Sequence, residues 1–224
     1  MNINRIKKRC IIIALVILII VALPMVYLFY TNPALKPGPV VDIDENAITI
    51  RQLLPYVTKY MDDYKNTPEG RRMGFSKSDF HYGRVDATLD KNQRCSIIFS
   101  LVETTAKNSR KVFSITVDTN QHKILSIEED ESRYGNPNSL NIENWKVDSD
   151  QAIDKAIKYL EDSKTTPQYD KIHLLAWVTI IADEPDSFYP CWRVVLIDST
   201  QSPELSYSVP NVDPYTGEFL QGTP

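Results

Sequence analysis

Two stretches of this chain repeat the same pattern of apolar and polar residues. The first is TIRQLLPYVTKYMDD, which begins at Thr49, and the second is DSDQAIDKAIKYLED, which begins at Asp148. Gln52 aligns with Gln151, a Lys-Tyr pair and a later Asp align as well, and a Thr-Pro dipeptide follows each stretch. Such self-similarity indicates one structural unit that the chain uses twice.

Both stretches have the features of an amphipathic helix. In the second, apolar residues recur at the spacing that forms a single stripe, and charged residues occupy the other side. Thr49 with Gln52 matches a capping box, and Asp148 or Ser149 can cap the second helix. Pro55 removes a backbone hydrogen bond, so we expect the first helix to be kinked there or to begin later.

Segments rich in Val, Ile, Phe and Thr follow each predicted helix. The first set is GRVDATL, CSIIFSLVE, KVFSITVD and KILSI, and the second is IHLLAWVTIIAD, CWRVVLID, LSYSVPNVD and EFLQ. Polar turn clusters separate them, as is typical of antiparallel hairpins. The sequence therefore predicts an α+β fold with two similar units, residues 47–130 and 145–224, joined by a linker at 131–144. Each unit is expected to pack one helix on its own small antiparallel sheet.

The same turn is predicted near the end of each unit. In the second, Asp213 can accept hydrogen bonds from turn amides, Pro214 presets the first dihedral angle, and Gly217 permits a positive φ. In the first, His122 stands where Gly217 does, so we expect a different or slightly strained turn there.

The N-terminal region predicts a membrane anchor. From Cys10 to Tyr30 the chain carries no charge, and a helix of that length spans the ~30 Å hydrocarbon core. Basic residues in the tail, 1–9, place the N-terminus in the cytoplasm and the remainder outside the cell membrane. The length of the apolar run favours a single uncleaved span over a cleaved signal peptide. Residues 31–46 are expected to form a proline-rich spacer.

Composition and motifs argue against several functions. The net charge of -4 and the scattered Lys and Arg residues argue against nucleic-acid binding. The three histidines lack the spacing of zinc ligands, and no phosphate-binding loop or nucleophile motif is present in the sequence. We therefore expect no catalytic residue, no cofactor and no metal.

Cysteines and tryptophans allow two interpretations each. Cys95 and Cys191 open equivalent predicted strands, so they either form a disulfide, which requires α-carbons within about 7 Å, or remain two separate buried thiols. The sequence favours separate thiols. The tryptophans, Trp145, Trp177 and Trp192, more often fill the core of a small domain than line a binding groove.

The second unit resembles the PepSY domain family. The resemblance rests on an aromatic residue before an A-I-x-x-A helix, a W-R-V strand and a closing V-D-x-x-T-G-E-x-L hairpin. The residues that carry it are Trp145, Ala152, Ala156, Trp192, Asp213, Thr216 and Gly217. The first unit resembles a diverged member that lacks the Trp and the Thr-Gly pair.

The resemblance implies a non-catalytic module that binds or restrains partner proteins, often peptidases. We therefore expect a membrane-anchored extracytoplasmic protein that binds a protein or peptide, such as a secreted or cell-wall peptidase, by strand addition at a sheet edge or through a sheet face. The alternative is an accessory protein of a signalling system, which senses an envelope condition and acts through its transmembrane helix.

Overall fold

The computed structural model describes residues 39–77, 79–90, 95–104, 111–130, 139–181 and 184–220. From Val40 onwards these residues belong to one compact unit. The predicted cytoplasmic tail at 1–9, the predicted span at 10–30 and the first half of the predicted spacer, 31–38, lie outside the described residues. Within the described residues, no helix is both long enough and apolar enough to cross a membrane.

The described secondary structure consists of three α-helices and seven strands. The helices are α1 (Ile50–Lys65), α2 (Pro68–Arg72) and α3 (Ser149–Asp162). The strands are β1 (Phe80–Asp90), β2 (Cys95–Glu103), β3 (Val112–Asp118), β4 (Lys123–Asp130), β5 (Lys171–Ile181), β6 (Glu184–Asp198) and β7 (Leu205–Ser208).

All seven described strands form one sheet, in the order β4-β3-β2-β1-β5-β6-β7. Every neighbouring pair is antiparallel. In the centre β1 pairs with β5, and Val85 lies opposite Ala176. The prediction of two separate helix-and-sheet units is therefore wrong. A small sheet has two unpaired edges, and pairing β1 with β5 removes one edge from each half of the chain.

The helices cover one face of this sheet. On β1 the buried side chains alternate with more exposed ones, and Val85, Ala87 and Leu89 share a core with the apolar stripes of α1 and α3. Arg84 and Asp86 alternate with these residues and lie on the opposite face. We call that opposite face the open face, because no described helix packs on it.

Both main helices begin with a capping box; the sequence predicts the box at Thr49 and, for the second helix, a cap from Asp148 or Ser149. In α1 the Thr49 hydroxyl accepts a hydrogen bond from Gln52 N, and the Gln52 side chain accepts one from Thr49 N. In α3 the corresponding pair is Asp148 and Gln151. Helix α1 begins at Ile50, before its proline, so the alternative of a later start is wrong.

The N-termini of α1 and α3 meet at the Asp148 carboxylate. Its Oδ2 accepts a hydrogen bond from Thr49 Oγ1 at 2.6 Å, and its Oδ1 accepts from Arg51 N at 3.2 Å and from Ser149 N at 2.7 Å. Ser149 Oγ in turn accepts from Ile50 N at 3.0 Å. A negative charge is favourable at a helix N-terminus, so one carboxylate stabilises the first turn of both helices.

The change Asp148→Ala is expected to lower the free energy of unfolding of the unit that begins at Val40 by about 2–4 kcal/mol, because it removes a cap and two further hydrogen bonds. Urea denaturation measures this change. Hydrogen exchange should accelerate at the amides of Ile50 and Arg51 in the other helix as well as at Ser149. The control Asp154→Ala, on the exposed side of α3, is expected to stay within about 0.5 kcal/mol. Similar losses for both variants would contradict the shared cap.

The two predicted turns have related geometry. Asp213 Oδ1 accepts hydrogen bonds from two turn amides, and Asp118 Oδ1 does the same in the first half of the chain. Gly217 has a φ of 77°, and His122 has a φ of 52°. A positive φ costs a residue with a side chain more than it costs glycine, so the expected strain at His122 is confirmed.

Exchanging the residue types at these turns is expected to change stability in opposite directions. Gly217→Ala should destabilise the fold by about 1–2 kcal/mol, because alanine, unlike glycine, is strained at a positive φ. Its Cβ would also lie 3.1 Å from Val147 Cγ2. His122→Gly should stabilise the fold by about 0.5 kcal/mol. The strain that it relieves slightly exceeds the unfavourable effect of glycine, which increases the conformational entropy of the unfolded chain. Thermal unfolding measures both changes, and a loss of stability in His122→Gly would refute the explanation.

Candidate functional site

The residues that carry the PepSY resemblance lie in the core and in one turn. Trp145 and Trp192 are buried, with perpendicular rings whose centroids are 4.7 Å apart. Trp192 Nε1 donates to Val147 O at 2.9 Å, just before α3. Ala152 and Ala156 are fully buried on α3, and Asp213, Thr216 and Gly217 form the closing turn. These positions have structural contacts, and none of them lines the surface sites described below.

The cysteine pair does not form a bridge. Cys191 is a buried free thiol, and burial raises its pKa to about 12. Strands β2 and β6, which carry Cys95 and Cys191, have β1 and β5 between them. Three strand spacings of about 4.8 Å separate them, which is roughly twice the distance that a disulfide allows.

A groove of about 590 Å³ runs along one side of α1. Seven of its lining residues form a stripe on that helix, and its opposite wall comes from Tyr82 of β1 and Glu143 of the 3₁₀ turn Ile142–Asn144. The residues of the stripe are Arg51, Leu54, Pro55, Thr58, Lys59, Asp62 and Asp63. We call this cavity the α1 groove.

The charges of the α1 groove are only partly compensated. Lys59 Nζ lies 3.6 Å from Asp63 Oδ2, and the Arg51 guanidinium donates to the carbonyl of Trp145. Glu143 is exposed and has no cationic partner among the described residues. Burial raises the pKa of Tyr82, and the negative charge of Glu143 raises it further. An incoming ligand therefore meets an unpaired carboxylate beside a protonated phenol.

Pro55 gives the groove a backbone acceptor. In an α-helix the amide of residue 55 would donate to the carbonyl of residue 51, and proline has no amide hydrogen. The carbonyl of Arg51 thus lacks its usual helical donor at the point where the groove begins. The hydroxyls of Thr58 on the helix and Tyr82 on the opposite wall, 3.3 Å apart, are further polar groups of the groove.

A second group of polar side chains lies on the open face. His173 Nε2 lies 2.7 Å from Asp86 Oδ1, and Arg84 forms an ion pair with the other oxygen of Asp86. Burial acts to raise the pKa of Asp86, but the hydrogen bonds from His173 and Arg84 outweigh it, so the pKa is lowered. On the next strand the Arg193 guanidinium lies over the Trp177 ring, 6.0 Å from its centroid.

Sequence reasoning missed both groups. Trp177, predicted as a core residue, is half-buried on the open face, and His173 pairs with a carboxylate of another strand. The sequence feature that could have indicated the groove is Pro55, which was interpreted only as unfavourable for the helix. Among the described residues, no group of three or more His, Cys, Asp or Glu side chains could hold a metal ion.

The chain matches no protein-family model, and no curated protein or solved structure shows significant similarity to it. The resemblance to PepSY domains therefore stays a prediction that rests on the residues quoted above.

The lowered pKa of Asp86 predicts a contribution to stability that depends on pH. The folded chain stabilises the ionised form of this carboxylate relative to the unfolded chain. This contribution to the free energy of unfolding is fully present above the pKa of the carboxyl in the unfolded chain, about 4. It is lost as the pH falls through the lower pKa of the folded chain. The difference in unfolding free energy between the native chain and Asp86→Asn should shrink as the pH falls below about 4. Urea denaturation at a series of pH values tests this, and a constant difference would contradict it.

Proposed function

We propose that this chain is a membrane-anchored extracytoplasmic module that binds a protein or peptide without catalysing a reaction, and that the α1 groove is its docking site. The anchor and its orientation rest on the uncharged run at 10–30 and the basic tail before it. A secreted or cell-wall peptidase is the partner class that the PepSY resemblance suggests. The observation that carries the proposal is the concave, partly uncompensated lining of the groove.

The shape of the α1 groove suits a polypeptide segment. Its helical stripe runs from Arg51 to Asp63, which at 1.5 Å per residue is about 18 Å. An extended segment of about five residues has the same length. Leu54, Pro55 and the ring of Tyr82 offer apolar contact along this path.

The polar groups of the groove match those of an extended backbone. A partner amide can donate to the carbonyl of Arg51, which its own helix leaves without a donor. A basic side chain can pair with Glu143, which no described cation neutralises. Because a hydrogen bond to a carbonyl and an ion pair to a carboxylate are both favourable, these two groups favour segments that supply an N–H and a cation at the corresponding spacing.

Site-specific photocrosslinking tests the docking site. The photoreactive residue p-benzoylphenylalanine replaces Lys59, inside the groove, or Lys158, the aligned position on α3, in the full chain in its native membrane. We expect a defined protein adduct from position 59 and none from position 158. Glu143→Lys should reduce the yield of that adduct at least about fivefold, because it places a like charge against a basic segment.

Two outcomes would contradict the proposal. Equal adducts at both positions would indicate non-specific contact, and an adduct at position 59 that Glu143→Lys leaves unchanged would show that the groove does not select its occupant. The control for Glu143→Lys is Glu161→Lys on the exposed side of α3, which makes the same charge change outside the groove.

A further inference from the structure

Arg193 is a cation without an anionic partner on the open face. Among the described residues it forms no hydrogen bond and no ion pair, although it is half-buried in the middle of β6. Its cross-strand neighbour is Leu175, which is 7% exposed. An arginine in such a setting usually pairs with a carboxylate, because burying part of a charge without a partner is unfavourable.

The Trp177 ring holds the guanidinium in place. The 6.0 Å distance between Arg193 Cζ and the ring centroid is at the outer limit of a cation–π contact. Contact with the indole leaves the planar N–H groups at the rim of the guanidinium unobstructed by the ring. Those groups match the two oxygens of a carboxylate, and a partly fixed side chain loses little rotamer entropy on binding.

The nearest carboxylate of this cluster on the open face cannot neutralise Arg193. Asp86 lies opposite Leu175, and Leu175 lies opposite Arg193, so two strand spacings, about 10 Å, separate the two backbones. Both oxygens of Asp86 are also engaged, one with His173 and one with Arg84. Asp213, next to the Val212–Trp192 bridge, is nearer, but it forms no ion pair with Arg193 among the described residues, and its Oδ1 accepts hydrogen bonds from two turn amides. Arg193 is therefore open to a carboxylate from outside these residues.

We propose that the open face binds an acidic segment of a partner polypeptide, with the carboxylate of a Glu or Asp side chain paired to Arg193. The aliphatic part of that segment would lie against the exposed part of Trp177. Charge complementarity identifies the occupant, since Arg193 is a cation without an anionic partner among the described residues and lies beside an aromatic ring. This site lies across the sheet from the α1 groove and is independent of it.

The test uses the full chain in phosphatidylcholine nanodiscs and a fluorescein-labelled peptide of alternating Glu and Ala, with binding measured by fluorescence anisotropy. Arg193→Gln is expected to weaken peptide binding roughly tenfold or more. Arg193→Lys keeps the positive charge but loses the paired N–H donors of the guanidinium, so it is expected to weaken binding several-fold. The control Lys158→Gln removes the same charge from exposed α3 and should change binding by less than about twofold. A Gln-Ala peptide should bind far more weakly than the Glu-Ala peptide.

Several results would overturn the proposal. Equal binding of the Glu-Ala and Gln-Ala peptides, or unchanged binding by Arg193→Gln, would show that no carboxylate pairs with Arg193. Loss of affinity for phosphatidylglycerol nanodiscs with unchanged peptide binding would assign the site to a lipid headgroup. If Arg193→Gln fails to fold, Arg193→Lys decides alone. Peptide binding at Arg193 is measured separately from the photo-adduct at position 59, so failure of this site and failure of the α1 groove can be distinguished.

Discussion

The hydrogen bonds of Asp148 constrain how the two halves of the chain come together. Its carboxylate caps α3 and also accepts hydrogen bonds from Thr49 and Arg51 at the start of α1. Two helices that begin at one carboxylate must lie on the same side of the sheet and run away from a common point. Strands from both halves then have to lie beneath them, and pairing β1 with β5 supplies one continuous surface. The hydrogen bonds between one carboxylate and the start of the other helix thus accompany the pairing of strands from both halves in one sheet.

Local features of the fold could be predicted from the sequence, and long-range pairing could not. The capping box of α1, the Asp148 cap of α3 and the strain at His122 depend on residues a few positions apart, and the structure shows all three. The prediction of two separate sheets was wrong because an alternating pattern in a strand specifies which face is buried but does not specify which strand lies next to it. Because the sequence does not specify which strands are neighbours, it did not predict the contact of Asp86 with His173 and could not decide whether Cys95 and Cys191 form a disulfide.

The α1 groove and the Asp86–His173 contact both combine residues from different parts of the chain. The α1 groove takes its helical wall from the first half and Glu143 from the segment that leads into the second. On the open face, Arg84 and Asp86 come from β1, whereas His173 and Arg193 come from β5 and β6. The contact of Asp86 with His173 requires both halves, whereas Arg193 and Trp177 both come from the second half. The Asp86–His173 contact therefore could not be found from either repeat alone.

The two sites also differ in the physics of recognition. The α1 groove offers apolar contact and a backbone acceptor at Arg51, interactions that depend on shape and on the partner's hydrogen-bond donors. The site at Arg193 depends on one charge near the surface, and such an interaction weakens as ionic strength shortens the Debye length from about 10 Å at 0.1 M salt to about 3 Å at 1 M. In high salt a partner that engages both faces would therefore keep its apolar contacts in the α1 groove, while its ion pairs with Glu143 and Arg193 weaken. Salt dependence thus separates the apolar from the ionic contribution without any change to the chain.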